Sequence, residues 1–153
     1  MRTVLFICTG NTCRSPMAEG IARHLVRDGR IDGVESDLFV ASAGVFAADG
    51  IPISPESADA LERRGIEAEG VSKRLTPEMI RNADLVLGMT AAHVEAARHL
   101  VGVDCETPIE RVDADADIED PIGQGQPAYD RVAERLDRVI PARLQEMLSP
   151  VGD

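Results

Sequence analysis

The sequence has few aromatic residues, few cysteines, few basic residues and no long apolar stretch. One Tyr, three Phe and no Trp in 153 residues leave few side chains that could grip an aromatic ligand. The 16 Lys and Arg residues are outnumbered by 27 Asp and Glu residues, and a net charge of −11 without a basic patch argues against binding to nucleic acid. Three cysteines are too few for the disulfide framework of a secreted protein, and the short apolar runs exclude a membrane-spanning helix.

The length and the start of the chain indicate the number of domains and the cellular location. A chain of 153 residues with 44% apolar residues predicts a single domain over residues 1–153 with one core. Because the start lacks the features of a signal peptide, we expect a cytoplasmic protein. We expect neither a nucleic acid nor a membrane as its partner.

The most informative segment runs from Cys8 to Ser15 and reads CTGNTCRS. An apolar run precedes it and an amphipathic run follows it, an order that predicts a strand, a tight loop and a helix. A thiol followed after five residues by Arg14 and a serine is the spacing of a phosphate-binding catalytic loop. Amides of such a loop bind phosphate oxygens, and the planar guanidinium of Arg14 binds two of them at once.

The same segment supplies a nucleophile and its support. Cys8 is the candidate nucleophile, because a helix N-terminus and a nearby guanidinium stabilise a thiolate, the form that attacks phosphorus. Gly10 and Asn11 both tolerate the left-handed backbone that inward-pointing amides require. The hydroxyl of Ser15 can donate to the thiolate and stabilise it as a leaving group. The candidate phosphate-binding residues are Thr9, Gly10, Asn11, Thr12, Cys13, Arg14 and Ser15.

Strands and helices alternate along the chain. The apolar patterns predict strands at residues 3–8, 38–41, 84–87 and, with a weaker pattern, 105–108. Helices are predicted at residues 15–28, 54–64, 90–100 and 127–148, with a further helix beginning at Thr76. Pro141 should kink or split the last helix. This alternation predicts an α/β fold with a parallel sheet and right-handed crossovers, and a ligand site at the carboxyl ends of the strands.

These residues resemble the low-molecular-weight protein tyrosine phosphatase family, and the resemblance covers nearly the whole chain. It rests on CTGNTCRSPMAE at residues 8–19, DLVLGMT at 84–90, Asp120-Pro121 and Tyr129. It also rests on SAG at 42–44, which resembles the family's turn after its second strand. The resemblance implies a three-layer αβα, flavodoxin-like fold with a four-stranded parallel sheet. It also implies a monomeric enzyme that needs no cofactor and no metal.

The resemblance makes Asp120 the general acid. Taken alone, Asp120 lies in an acidic stretch that favours a solvated loop over a catalytic one, although Pro121 restricts its backbone to extended conformations. The implied cycle is a double displacement in which Cys8 attacks phosphorus while Asp120 protonates the leaving group. A phosphocysteine intermediate forms, and Asp120 then acts as the base for water. Cys8, Arg14 and Asp120 are thus the expected catalytic residues.

The resemblance also implies a supporting network around the loop. Asn11, Ser15 and Ser42 would hold its strained backbone, but the chain has Gly70 where many members have a histidine that joins this network. Three histidines lie on predicted helices without the spacing of metal ligands, and we expect them on the surface: His24, His93 and His99.

Cys13 has two alternative roles. In the family, Cys8 and Cys13 can form a reversible disulfide that protects the nucleophile from over-oxidation. The other role is that of a small apolar residue packed in the loop, and the sequence favours neither.

The family contains enzymes for phosphotyrosine and for phosphoarginine, and Thr12 bears on the choice. Tyrosine-directed members usually carry a bulky aliphatic residue here, whereas arginine-directed bacterial members carry threonine in a loop that reads CTGNTCRS, as this one does. A hydroxyl beside the phosphate can bond a guanidinium nitrogen, and Asp120 could pair with the same group. Ile122 occupies a position where tyrosine-directed members often have tyrosine and arginine-directed members often have phenylalanine. With so few aromatic residues we favour phosphoarginine as substrate, with phosphotyrosine as the alternative.

Three other classes share parts of the pattern. A thioredoxin-coupled arsenate reductase needs two further cysteines close together, and only Cys105 lies beyond the loop. A phosphocarrier domain of a sugar transport system needs neither the arginine nor the aspartate. A non-catalytic phosphoprotein-binding module would keep Arg14 and could lose Cys8 or Asp120. Because all three residues are present, we expect an enzyme that acts on a phosphorylated protein and releases inorganic phosphate.

Overall fold

A computed structural model describes residues 1–148 and shows a four-stranded parallel sheet between two layers of helices. The strands are β1 (Thr3–Cys8), β2 (Phe39–Gly44), β3 (Leu85–Gly88) and β4 (Ile109–Arg111). The helices are α1 (Arg14–Arg27), α2 (Pro55–Glu62), α3 (Pro77–Asn82), α4 (Ala91–Val101) and α5 (Gln126–Leu148). The strand order is β2-β1-β3-β4, and every pair is parallel. The predicted α/β, three-layer fold is confirmed.

The central position of β1 explains its unbroken apolar sequence. Val4 and Phe6 pack on one face of the sheet against α1, α2 and α5. Leu5 and Ile7 pack on the other face against α3 and α4. Both faces of β1 are therefore covered, and hydrogen bonds to β2 and β3 place its carboxyl end in the middle of the sheet.

Two strand predictions need correction. β2 extends to Gly44, so the Ser-Ala-Gly segment expected as a turn is part of the strand, with Ser42 paired to Phe6. These small residues give no apolar alternation, and the pairing with β1 is what holds them extended. The fourth strand is Ile109–Arg111 instead of residues 105–108. It is a short edge strand that begins after Pro108, whose carbonyl oxygen accepts a hydrogen bond from the backbone N–H of Val86.

The helix boundaries follow their caps. The hydroxyls of Ser54, Thr76 and Thr90 accept hydrogen bonds from backbone amides in the first turns of α2, α3 and α4. Pro141 does not split α5, which is continuous from Gln126 to Leu148. Buried apolar side chains on both sides of the proline, including Ile140 and Leu144, anchor the helix to the core.

No helix in residues 1–148 combines the length and apolar character needed to cross a membrane.

Candidate active site

The candidate nucleophile lies at the carboxyl end of the central strand. Cys8 ends β1, and α1 begins six residues later at Arg14, so the intervening loop faces the N-terminus of a helix. Cys8 is 2% exposed, and its Sγ lies 2.9 Å from the hydroxyl of Ser15. Cys13 precedes the helix without a side-chain cap on the first-turn amides. These amides and the Ser15 hydroxyl can stabilise a thiolate or an anion held above it.

Asn11 supports the loop from beneath. It is the one non-glycine residue with positive φ in the described chain, at 56°, whereas Gly10 lies outside the left-handed region. Its buried amide nitrogen donates to Ser15 Oγ at 2.8 Å and to Ser42 Oγ at 2.9 Å. Its amide oxygen accepts from the backbone N–H of Lys73 at 2.9 Å. The predicted grouping of Asn11, Ser15 and Ser42 is therefore present, and Asn11 joins the loop to two other segments.

The network continues to two residues that sequence reasoning missed. The hydroxyl of Ser42 donates to a carboxylate oxygen of Glu19 at 2.6 Å, and Arg23 donates to the other oxygen of Glu19. Glu19 and Arg23 are four residues apart on α1, and this spacing was the signal available in the sequence. A cavity of about 40 Å³ is lined by Gly70, Asn11 and Glu19. It lies at the position where many members of the resembled family have a histidine.

The end of β2 approaches the loop too closely for a side chain. A Cβ atom on Gly44 would lie 2.6 Å from the carbonyl oxygen of Thr9 and 2.7 Å from the Cβ of Ala47. The amides that follow bind the loop, since Val45 N–H donates to the carbonyl of Cys8 and Phe46 N–H to that of Thr9. Gly44 thus allows the backbone hydrogen bonds that hold the loop. The side chain of Phe46, whose backbone makes one of these bonds, is exposed.

Arg14, at the end of the loop, lies near Asp120. Arg14 is buried, and its Nη1 donates to the carbonyl oxygen of Ile118 at 2.9 Å, which fixes the guanidinium. Its Nη2 lies 3.9 Å from Asp120 Oδ2. The Asp120 side chain is 52% exposed, and its other oxygen accepts from the backbone N–H of Ile122 at 3.1 Å. The carboxyl group of Asp120 is thus at the open side of the site, within reach of a bound molecule.

Thr12 and Cys13 differ in exposure. Thr12 is half-buried, and within residues 1–148 its hydroxyl makes only a long contact of 3.7 Å with Cys13 Sγ, so it retains bonding capacity for a ligand. Cys13 is buried against the hydroxyls of Ser54 and Tyr129, and both Cys8 and Cys13 are free thiols. Burial, together with the contact to Cys13, raises the pKa of Tyr129 to about 12. The disulfide between Cys8 and Cys13 stays a prediction.

His93 contradicts the expectation of a surface histidine. It is 5% exposed, and its Nε2 lies 2.9 Å from Thr9 Oγ1, whereas His99 is exposed and His24 is half-buried. Burial lowers the pKa of His93 to about 4, and the positive charge of Arg14 contributes. His93 occupies the third position of α4, where its ring accepts from the backbone N–H of Thr90 in a capping box. The Thr-x-x-His spacing was the signal available in the sequence.

Comparison with known proteins places this chain in a family. The model of the low molecular weight phosphotyrosine protein phosphatase matches residues 3–149. A protein-arginine-phosphatase of Geobacillus stearothermophilus is 38% identical over 95% of this chain and 95% of its own. The low molecular weight protein-tyrosine-phosphatase PtpB of Staphylococcus haemolyticus is 34% identical over 87% of this chain and 91% of its own. A solved YwlE arginine phosphatase with a phosphorylated active-site serine has a TM-score of 0.85 at 30% identity, covering 95% of each chain. The chain therefore belongs to the low molecular weight phosphotyrosine protein phosphatase family, whose members are cysteine-dependent phosphatases.

Proposed function

We propose that this phosphatase hydrolyses phosphoarginine in proteins, with Cys8 as nucleophile, Arg14 as phosphate ligand and Asp120 as general acid and base. The observation that carries the proposal is the arrangement around one loop. The thiol of Cys8 lies beside Ser15 and the helix N-terminus, while the carboxyl group of Asp120 lies 3.9 Å from the guanidinium of Arg14. A phosphoryl group bound by Arg14 would lie between a nucleophile and a proton donor.

The reaction proceeds in two displacements. In the first, the Cys8 thiolate forms a bond to phosphorus while the phosphorus–nitrogen bond breaks, and Asp120 gives its proton to the leaving guanidino nitrogen. In the second, Asp120 takes a proton from water, the resulting hydroxide attacks the phosphocysteine, and the phosphorus–sulfur bond breaks. The loop amides and Arg14 stabilise the charge on the equatorial oxygens in both steps, and Ser15 stabilises the departing thiolate.

Three observations support phosphoarginine as the substrate. The half-buried hydroxyl of Thr12 can bond a guanidinium nitrogen, which an aliphatic side chain cannot do. The exposed Ile122, at the rim, offers no aromatic surface for a phenyl ring. The Geobacillus relative that matches nearly the whole chain is named a protein-arginine-phosphatase. Phosphotyrosine is the second candidate, because the PtpB relative is named a tyrosine phosphatase.

Substitutions at Thr12 test the substrate. Thr12→Val has nearly the same shape without the hydroxyl and should lower kcat/KM for a phosphoarginine peptide about tenfold, whereas kcat/KM for the matched phosphotyrosine peptide should hardly change. Thr12→Ser keeps the hydroxyl and is the matched control. Thr12→Ile should shift the preference toward phosphotyrosine. Equal ratios of the two kcat/KM values in all four proteins would refute the role of Thr12, while an inactive Cys8→Ser variant confirms that the measured release depends on the thiol.

The proposal extends to the state of the enzyme. We expect a monomeric single-domain protein in the cytoplasm, where reducing conditions keep the thiol of Cys8 available. The surplus of acidic residues supports a protein or peptide partner instead of a nucleic acid. Light scattering after size exclusion, at micromolar enzyme concentration, should give the mass of one chain, and a dimer mass would contradict this part of the proposal.

A further inference from the structure

The contact between His93 and Thr9 joins α4 to the phosphate loop. His93 Nε2 lies 2.9 Å from Thr9 Oγ1, and these residues are 84 positions apart in the chain. Thr9 directly follows the candidate nucleophile Cys8, and its carbonyl oxygen is already held by the backbone N–H of Phe46. The histidine thus fixes the side chain of a loop residue whose backbone is fixed from the opposite side.

The hydrogen bonds determine which ring nitrogen of His93 carries the proton. Nδ1 lies 3.2 Å from the backbone nitrogen of Thr90, and a backbone N–H can only donate, so Nδ1 is the acceptor and has no proton. The neutral ring must then carry its proton on Nε2, which donates to Thr9 Oγ1. Because Thr9 accepts this bond, its own hydroxyl proton remains available to an acceptor in the site.

The charges around His93 favour this neutral form. The positive charge of Arg14 and burial both disfavour a second positive charge on the ring, while the carboxylates of Asp117 and Asp120 act in the opposite direction. Asp117 is itself engaged by Arg111 and by the amide of Ala91 at the start of α4. His93 therefore lies within the charged surroundings of the site, with one ring nitrogen on Thr9 and the other on the backbone of Thr90.

We propose that His93 is a positioning residue for the phosphate loop, acting through the hydrogen bond that its Nε2–H donates to Thr9. The inference rests on the proposed function, because it concerns the same loop. A cap for α4 is the competing role, and it requires only the Nδ1 contact with Thr90. The two roles therefore depend on different ring nitrogens: the cap requires Nδ1, and the positioning of the loop requires Nε2.

Two substitutions at His93 distinguish these roles. His93→Asn places an acceptor where Nδ1 lies and is too short to reach Thr9, so it keeps the cap and loses the loop contact. His93→Gln reaches the position of Nε2 with an amide donor. We expect His93→Asn to lower kcat/KM for phosphoarginine peptide and to weaken inorganic phosphate binding, each about tenfold. We expect His93→Gln to restore both to within about threefold, and His99→Asn, at an exposed histidine, is the matched control.

A double-mutant cycle tests whether His93 acts through Thr9. Thr9→Val removes the acceptor at nearly constant shape, and adding His93→Asn to it should cause no further loss beyond that of Thr9→Val alone. Additive losses would overturn the proposal, as would wild-type kcat/KM and phosphate affinity in His93→Asn. Nitrogen NMR of the wild-type histidines supplies an independent arm, because the proposal requires the proton of neutral His93 on Nε2, and a proton on Nδ1 would refute it.

Failure of the proposed function would be recognised separately. If the wild-type enzyme released no phosphate from phosphoarginine, that function would fail. The NMR signature and the affinity for inorganic phosphate would still decide the role of His93, since neither measurement requires turnover.

Discussion

Replacement of Asn11 should be among the most damaging single changes at the loop. The side chain makes three hydrogen bonds, two donated to Ser15 and Ser42 and one accepted from the backbone N–H of Lys73. At about 1 kcal/mol for each bond, their loss amounts to about 3 kcal/mol. Alanine at φ 56° adds about 1 kcal/mol, because a side chain without local hydrogen bonds is disfavoured in this region. We therefore expect Asn11→Ala to lower the free energy of unfolding by about 4 kcal/mol.

A second variant separates the side chain from the backbone. Asn11→Gly removes the same three hydrogen bonds and tolerates the left-handed conformation, so it should be less destabilising than Asn11→Ala by roughly 1 kcal/mol. Urea unfolding followed by far-ultraviolet circular dichroism suits this chain, which has no Trp and one Tyr. A loss below about 1 kcal/mol in Asn11→Ala would refute the hydrogen-bond account. A glycine variant less stable than the alanine variant would refute the role of the left-handed backbone.

Two further predictions concern stability at other parts of the site. Gly44→Ala should destabilise the fold by about 1–3 kcal/mol and lower kcat/KM, because the added Cβ would clash with the backbone of Thr9. Gly10→Ala is the control for stability, because a Cβ at Gly10 has space. Equal urea midpoints for the Gly44→Ala and Gly10→Ala variants would contradict the clash. The pKa of His93 falls from 6.5 to about 4 on folding, so the unfolded chain binds the proton more readily and stability must fall as the pH drops through this window. Between pH 7 and pH 4, protonation of His93 should lower the free energy of unfolding by about 3 kcal/mol. Urea titrations at both pH values should show this loss in the wild type and in His99→Gln, at an exposed histidine, but not in His93→Gln.

The fold was predictable where its signals are contiguous in the sequence. β1 is apolar at every buried position because helices cover both faces, and α3 and α4 begin at Thr-Pro and Thr signals that act within one turn. β4 was misplaced because an edge strand of three residues has too few positions for a pattern. The end of β2 was missed because Ser42 and its small neighbours are extended through pairing with β1, a contact that local sequence does not express.

The same distinction applies to the site. Cys8, Arg14 and Ser15 lie in one loop, so their spacing alone brings them together. Asp120 was found through the Asp-Pro pair and the family resemblance, and the fold brings it to Arg14. His93 was missed because its burial depends on the packing of α4 against the loop.

Phosphate release from matched phosphoarginine and phosphotyrosine peptides at about pH 6, with Cys8→Ser as the control, decides between the two substrates and tests the loop as a catalytic site. We expect release that depends on Cys8, with kcat/KM for phosphoarginine far above that for phosphotyrosine. The reverse preference would contradict the assignment of phosphoarginine. The absence of Cys8-dependent release from both peptides would contradict the catalytic role of the loop itself.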